Sequence, residues 1–392
     1  MLAQRIIRRS RVFCSLHVSY TKRSKGTQSN SVDSPLRQLL NDSSGFAEAT
    51  TLEPELQWAT QPYAARAPGQ AETSPRVDPQ ETSVLLFPGQ GSQKVGMGRE
   101  LLKFPAAKDL YDLASSVVGW DVRKVCVEGP AEELDRRCQT AVLVTSLAAL
   151  ERARDERPAA LQRVRAVAGF SLGEITALVF AGSLTFEGAL RLVELRAAAM
   201  RAAARERAGG MLTLWLAPDA RLPLLLLRAR ERAAERGVPA PVAVVANYLF
   251  PGCKVVAGDE EALKFIERNG SEFGVKRAAR VRVEGAFHTP LMARAEEAVR
   301  AALGALEVCA PRVRVVSGVE ARALGDAGAA RRALARHVTR PVRWEQTLQA
   351  LYARPRGARF PLTLALGPGG ALRSTLRQVN ARAWDRSLQI DA

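Results

Sequence analysis

The chain has 392 residues, 47% of them hydrophobic, which excludes a wholly disordered protein and is enough for one large domain or two ordinary ones. Its 57 Lys and Arg against 40 Asp and Glu give a formal charge of +17, pointing to an acidic partner or a cationic targeting segment. No stretch approaches the ~20 uncharged apolar residues of a membrane span, since even the run 222–227 stops at Arg228.

Residues 1–32 hold seven basic residues, six serines and no acid, with apolar residues spaced among the arginines. That pattern predicts a cleavable mitochondrial presequence; a basic arm that binds nucleic acid is the competing reading. Residues 33–82, rich in Ser, Thr, Pro, Gln and Gly, keep no apolar period and read as a disordered linker. Ten basic and eight acidic residues lie at or before Thr82, a net of +2, so +15 of the +17 belongs to residues 83–392. Arg outnumbers Lys 48 to 9, so part of that excess is compositional bias. No helix-turn-helix, zinc-finger or RNP-like signature accompanies it, and the Trp and Tyr residues do not cluster with the arginines, so no nucleic acid partner is expected. The five cysteines contain no CxxC pair, which argues against a disulfide framework or a zinc site, and neither a metal nor a cofactor is expected.

The folded part is predicted to start at Ser83. Residues 84–87 form a short buried-strand pattern running into PGQGSQKVGMG at 88–98, and helical stretches follow at 99–118 and 139–154. A second buried strand, 164–168, ends in GFSLGE at 169–174. Strands alternating with helices predict a largely parallel sheet. From Gly209 the order becomes βαββαβ: MLTLWLA, a helix at 219–236, VAVVAN, CKVVAG, a helix at 259–269, and KRAARVRVEG. That is the order of a ferredoxin-like unit. After His288 the αβ pattern returns, with a strand at 313–317 and LTLALGPGG at 362–370. The expected fold is α/β: a large α/β-hydrolase-like body with a parallel sheet, residues 83–207 and 285–392, carrying an inserted ferredoxin-like α+β subdomain at 208–284.

Gly169-Phe170-Ser171-Leu172-Gly173 has the GxSxG form and lies between a buried strand and a helical stretch, the setting of a nucleophile elbow. An ordinary strand-to-helix turn has the same local sequence. A serine nucleophile needs a base, and outside the presequence only His288 and His337 are available. His337 sits in RRALARHVTRP, where a structural or capping role at a helix end is the simpler reading. His288 sits in VEGAFHTPLM, a loop from which a side chain can reach another strand's end. FPGQGSQ at 87–93 lacks the ending of a P-loop and the spacing of GxGxxG. It can instead supply an amide, so that Gln90 and Leu172 together stabilise an oxyanion.

With these segments in place, the sequence resembles the malonyl-CoA:acyl carrier protein transacylase family, including its mitochondrial members. The motifs are FPGQGSQKVGMG, GPAEEL at 129–134, GFSLGEITALVFAG at 169–182, LVELRAAAM at 192–200, FHTPLM at 287–292, RPVRW at 340–344 and LGPGG at 366–370, in the family's order. The resemblance implies ping-pong transfer of a malonyl group from malonyl-CoA to the phosphopantetheine thiol of an acidic acyl carrier protein. Ser171 would be the nucleophile and His288 the base, in a mitochondrial, monomeric enzyme of fatty acid synthesis. It also implies that Arg196 pairs with the malonyl carboxylate, a role suited to the guanidinium fork. Taken by itself, Arg196 reads as one more solvated arginine on a helix. Phe287, in the AFH signature of malonyl-selective relatives, would narrow the acyl pocket, and Asn247, which ends VAVVAN, completes the implied substrate-binding set. A basic face suits both CoA phosphates and an acidic carrier.

Three departures from the family stand out. Phe170 replaces a histidine beside the nucleophile. Arg343 stands for a glutamine whose backbone carbonyl orients the catalytic histidine. TAV at 140–142 stands for TQP, implying one side-chain amide fewer near the site. Two rival readings stay open from residues alone: a serine hydrolase or thioesterase, which would need no cation for the acyl end, and a catalytically silent basic RNA- or carrier-associated protein.

Overall fold

A computed structural model describes residues 78–392; the presequence read at 1–32, and all but the end of the linker read at 33–82, lie outside the described residues. Five strands form the main sheet: β1 (Ser83–Phe87), β2 (Val164–Gly169), β7 (Arg314–Val315), β8 (Leu362–Leu366) and β9 (Ser387–Ile390). Their spatial order is β7-β2-β1-β8-β9, and every pairing is parallel. All five residues of β1 are buried, as expected for a central strand covered on both faces.

The two faces of β1 separate two cores. Leu85 and Phe87 join a cluster built with helices α1 (Pro105–Val118), α2 (Cys138–Glu156), α3 (Leu172–Phe180) and α4 (Phe186–Glu206). Val84 and Leu86 join the other, with Trp344 and Leu348 of α9 (Trp344–Tyr352) and Leu376 of α10 (Ala371–Val379). Helix α2 is buried continuously from Cys138 to Leu150, which explains why its sequence shows little amphipathic period. Two further helices, α7 (Ala293–Ala305) and α8 (Ala327–Arg336), cover the β7 side. The helix predicted at 99–118 is split: a short 3-10 turn covers Glu100–Lys103, Phe104 is extended, and α1 begins at Pro105, whose fixed φ and missing N–H suit a first helical turn.

The insert holds β3 (Gly209–Leu216), α5 (Leu222–Glu235), β4 (Ala243–Phe250), β5 (Cys253–Asp259), α6 (Glu260–Asn269) and β6 (Val275–Arg280). Its strands run antiparallel in the order β4-β5-β3-β6, the arrangement expected from βαββαβ. The insert is seamed to the body at two places. Val342 N–H donates to the Ala246 carbonyl and the Val342 carbonyl accepts from Tyr248 N–H, both at 2.8 Å. At the entry, Arg207 Nη2 donates to Asp259 Oδ2 at 2.7 Å, and the same oxygen accepts from Val242 N–H at 2.6 Å. Past β6 the chain leaves the sheet, and residues 281–288 run back to the body as an irregular segment.

The first turn of α3 rests directly on the end of β1. A Cβ at Gly173 would lie 2.2 Å from the Phe87 carbonyl oxygen and 2.7 Å from that of Pro88. Both obstacles are backbone, which cannot swing aside. Gly173→Ala is therefore expected to cost about 3 kcal/mol, measured as a lower denaturant midpoint. An unchanged midpoint would contradict this packing.

Candidate active site

Ser171 occupies the turn between β2 and α3 with φ 49° and ψ −115°, a conformation that a residue with a side chain adopts only when its surroundings impose it. The imposition is visible on both sides. Glu174 N–H donates to the Ser171 carbonyl at 2.8 Å, and Phe170 N–H donates to the Phe87 carbonyl at 3.0 Å. His288 is likewise strained, at φ 62°, with its N–H donating to the Val338 carbonyl at 2.9 Å.

The two side chains meet. Ser171 Oγ lies 2.9 Å from His288 Nε2, while His288 Nδ1 lies 2.8 Å from the His337 carbonyl oxygen. A carbonyl only accepts, so Nδ1 carries the hydrogen and Nε2 turns its lone pair toward the serine hydroxyl. Burial, reinforced by the nearby Arg196 cation, pushes the His288 pKa down to about 4. The imidazole is therefore neutral at physiological pH, the state a general base requires.

Arg196 reaches the same point from α4 and is only 2% exposed. Its Nη1 donates to Gln139 Oε1 at 2.6 Å and its Nη2 to Ser171 Oγ at 3.3 Å. Nε has no partner, and the partners of the other two nitrogens among the described residues are an amide oxygen and a hydroxyl, not a carboxylate. Burial pulls its pKa down to about 10, which still leaves it charged. Gln139 in turn donates from Nε2 to Gln90 Oε1 at 3.3 Å, tying the loop after β1 to the same network.

That loop lies against the elbow: a Cβ on Gly89 would sit 2.3 Å from the Phe170 carbonyl oxygen, so only glycine permits the approach. Leu172 is the first residue of α3, whose leading amides have no carbonyl partner within the helix. A cavity of about 260 Å3 lies beside this network, with Gln90, Gln139, Met200 and Phe287 in its wall and Arg136, Arg201 and Arg282 also lining it; Ser171, His288 and Arg196 are not part of that lining. Phe287 is buried with Met200, Ala204 and Met292. Asn247 lies on β4 at the seam with Val342, its Oδ1 buried without a hydrogen-bond partner, and it is not among the residues lining this cavity.

Two expectations need correction. The carbonyl that orients His288 belongs to His337, not to Arg343, whose carbonyl accepts from Thr347 N–H within α9. His337 does cap a helix, but its ring is buried and its backbone does the orienting. Nor is a side-chain amide missing: Gln139, one residue before TAV, places its amide on Arg196. Phe170, beside the nucleophile, packs edge-on against Trp344 with ring centroids 5.6 Å apart. Among the described residues no group of three His, Cys, Asp or Glu is placed to hold a metal, and no helix is long and apolar enough to cross a membrane.

Residues 84–359 match the acyl transferase domain family. A probable mitochondrial malonyl-CoA-acyl carrier protein transacylase of Drosophila melanogaster is 47% identical, covering 81% of this chain and 84% of its own. The mitochondrial malonyl-CoA-acyl carrier protein transacylase of Homo sapiens is 42% identical, covering 88% and 85%. Among solved structures, the malonyl CoA-acyl carrier protein transacylase of Coxiella burnetii superposes with a TM-score of 0.71 at 28% identity, covering 80% of this chain and 95% of that one. A malonyl-transacylase in complex with its type II polyketide synthase acyl-carrier protein gives 0.69 at 30% identity, covering 79% and 96%.

The buried histidine has a consequence for stability. In the unfolded chain it takes up a proton near pH 6.5, whereas in the fold it resists protonation down to about 4. Its contribution is fully present above pH 6.5 and is lost as pH falls toward 4, on the order of 3 kcal/mol over that interval. His288→Gln should shrink the loss of melting temperature between pH 6.5 and 4.5. An unchanged pH dependence would contradict the burial of a neutral imidazole.

Proposed function

This chain belongs to the acyl transferase domain family, and from that membership we propose that it moves a malonyl group from malonyl-CoA to the phosphopantetheine thiol of an acyl carrier protein through a malonyl-Ser171 intermediate. It serves fatty acid synthesis in mitochondria. The observation that carries the substrate assignment is Arg196, a buried cation beside the nucleophile with no carboxylate partner among the described residues. A charge so placed is stable when a substrate carboxylate completes its fork.

In the first half-reaction Ser171 Oγ attacks the thioester carbonyl and its proton passes to His288 Nε2. The amides of Gln90 and Leu172 hold the oxyanion. The C–S bond breaks, and the CoA sulfur leaves with the proton from His288. In the second, the carrier thiol gives its proton to His288 and attacks the malonyl-serine carbonyl, and Ser171 leaves with that proton. Arg196 moves its Nη2 contact from Ser171 to the malonyl carboxylate, which also neutralises the cation that weakens His288 as a base.

Phe287 narrows the space near the acyl α-carbon, so an added methyl group is disfavoured by ~1–3 kcal/mol. Arg136, Arg201 and Arg282, at the cavity, face the phosphates of CoA and of the carrier's phosphopantetheine, and the chain's positive charge attracts an acidic carrier. The enzyme acts as a monomer, with residues 83–207 and 285–392 as the large acyltransferase body and 208–284 as the small ferredoxin-like subdomain.

Incubation with labelled malonyl-CoA should leave label on Ser171 and pass it to added carrier protein; rapid release of free malonate without transfer would make the protein a hydrolase. In Arg196→Ala, malonyl transfer is expected to fall at least ~100-fold while acetyl transfer survives or rises. An equal fall for both acyl groups would remove the carboxylate role.

A further inference from the structure

Behind His288, on its Nδ1 side, two more ionisable side chains are sealed from water: His337 and Glu174, 1% and 0% exposed. Glu174 lies in the first turn of α3, three residues after Ser171 and among Leu172, Ile175 and Leu178, all buried. Its Oε2 accepts from Gly318 N–H at 2.8 Å and lies 3.5 Å from His337 Nε2. Oε1 has no hydrogen-bond partner, and neither does either ring nitrogen of His337. The His337 ring stands edge-on to that of His288, centroids 5.8 Å apart, and its carbonyl holds His288 Nδ1–H. Gly318 is fixed from its other side, its carbonyl accepting from Arg343 N–H at 2.6 Å.

We propose that Glu174 is a positioning residue for the transfer: set against the ring of His337, whose carbonyl orients His288, its negative charge favours the imidazolium formed when Ser171 gives up its proton. This rests on the roles given above to Ser171 and His288. An acceptor for one buried amide needs no charge, and a neutral side chain would serve. A carboxylate beside a histidine that stands edge-on to the catalytic base does something more, because in a buried interior its field is screened far less than in water.

The surrounding groups set when that charge exists. Burial pushes the Glu174 carboxyl up to about 7; Glu320 adds to the rise, and the Gly318 amide and Ser317 hydroxyl oppose it. His337 is held well below 6.5 by burial, then by the Arg196 cation and His288, so it is neutral over the same range. Arg196 thus disfavours the imidazolium and Glu174 favours it. Once a malonyl carboxylate neutralises Arg196, the Glu174 carboxylate is the charge that remains near the base.

The test is the pH dependence of Ser171 acylation in single turnovers of the full chain, with malonyl-N-acetylcysteamine as donor so that no phosphate titrates. The wild type should gain about tenfold in rate between pH 6 and 8, half of it near 7. Glu174→Gln keeps an oxygen for Gly318 N–H and should stay at the low plateau across that range. A wild-type rate flat from pH 6 to 8 overturns the proposal without any variant. So does a Glu174→Gln enzyme that is slower at every pH but keeps the rise near 7, the mark of a purely structural role. If the wild type forms no malonyl-Ser171 at any pH, the reading of the site fails first and this inference falls with it.

Discussion

Arg196 is a positive charge set where water does not reach it, held by one amide oxygen and one serine hydroxyl. Such a group destabilises the fold unless something neutralises it. The rest of the site is arranged around that debt of charge. Gln139, sent in from the buried first turn of α2, accepts from the guanidinium and is itself tied to Gln90. Ser171 accepts the remaining contact, so the nucleophile and the carboxylate-seeking group share a single point in space. An acyl group carrying a carboxylate at the right distance completes the arrangement; one lacking it leaves the cation stranded.

The base depends on the same charge. His288 is kept neutral by burial and by Arg196, and it is aimed by a backbone carbonyl, not by the acidic side chain of a Ser-His-Asp set. Both Ser171 and His288 sit at positive φ, so the reacting pair is held by strained backbone that the parallel sheet and the insert seam impose from opposite sides. The insert ends just before this histidine, and the Val342 bridge that fastens β4 to the body lies four residues beyond Val338, whose carbonyl grips the His288 amide.

Much of this was legible in the sequence where the requirement is local. The elbow needs glycines around a serine between strand and helix, and the βαββαβ order follows from alternating periods. The histidine choice followed from scarcity. Arg196 was not legible from its own surroundings, because an arginine in an Ala-rich helix is buried only by how α4 packs on α2; the family motif alone marked it. Gln139 was missed because TQP was matched to TAV at 140–142, which puts the glutamine position at Ala141, two residues past Gln139. His337 was read as a helix cap, and its backbone role leaves no residue-type trace. Glu174 did leave one: an acid in the apolar turn LGEITALVF has to be buried with a partner or a purpose.

The central claim is that the buried cation selects the substrate before any bond is made. Calorimetric binding of malonyl-CoA and acetyl-CoA to Ser171→Ala isolates that step from chemistry. Malonyl-CoA should bind at least about thirtyfold more tightly, the effect of completing a buried charge pair. Equal affinities would mean that Arg196 does not meet the carboxylate, and the account built on it would not stand.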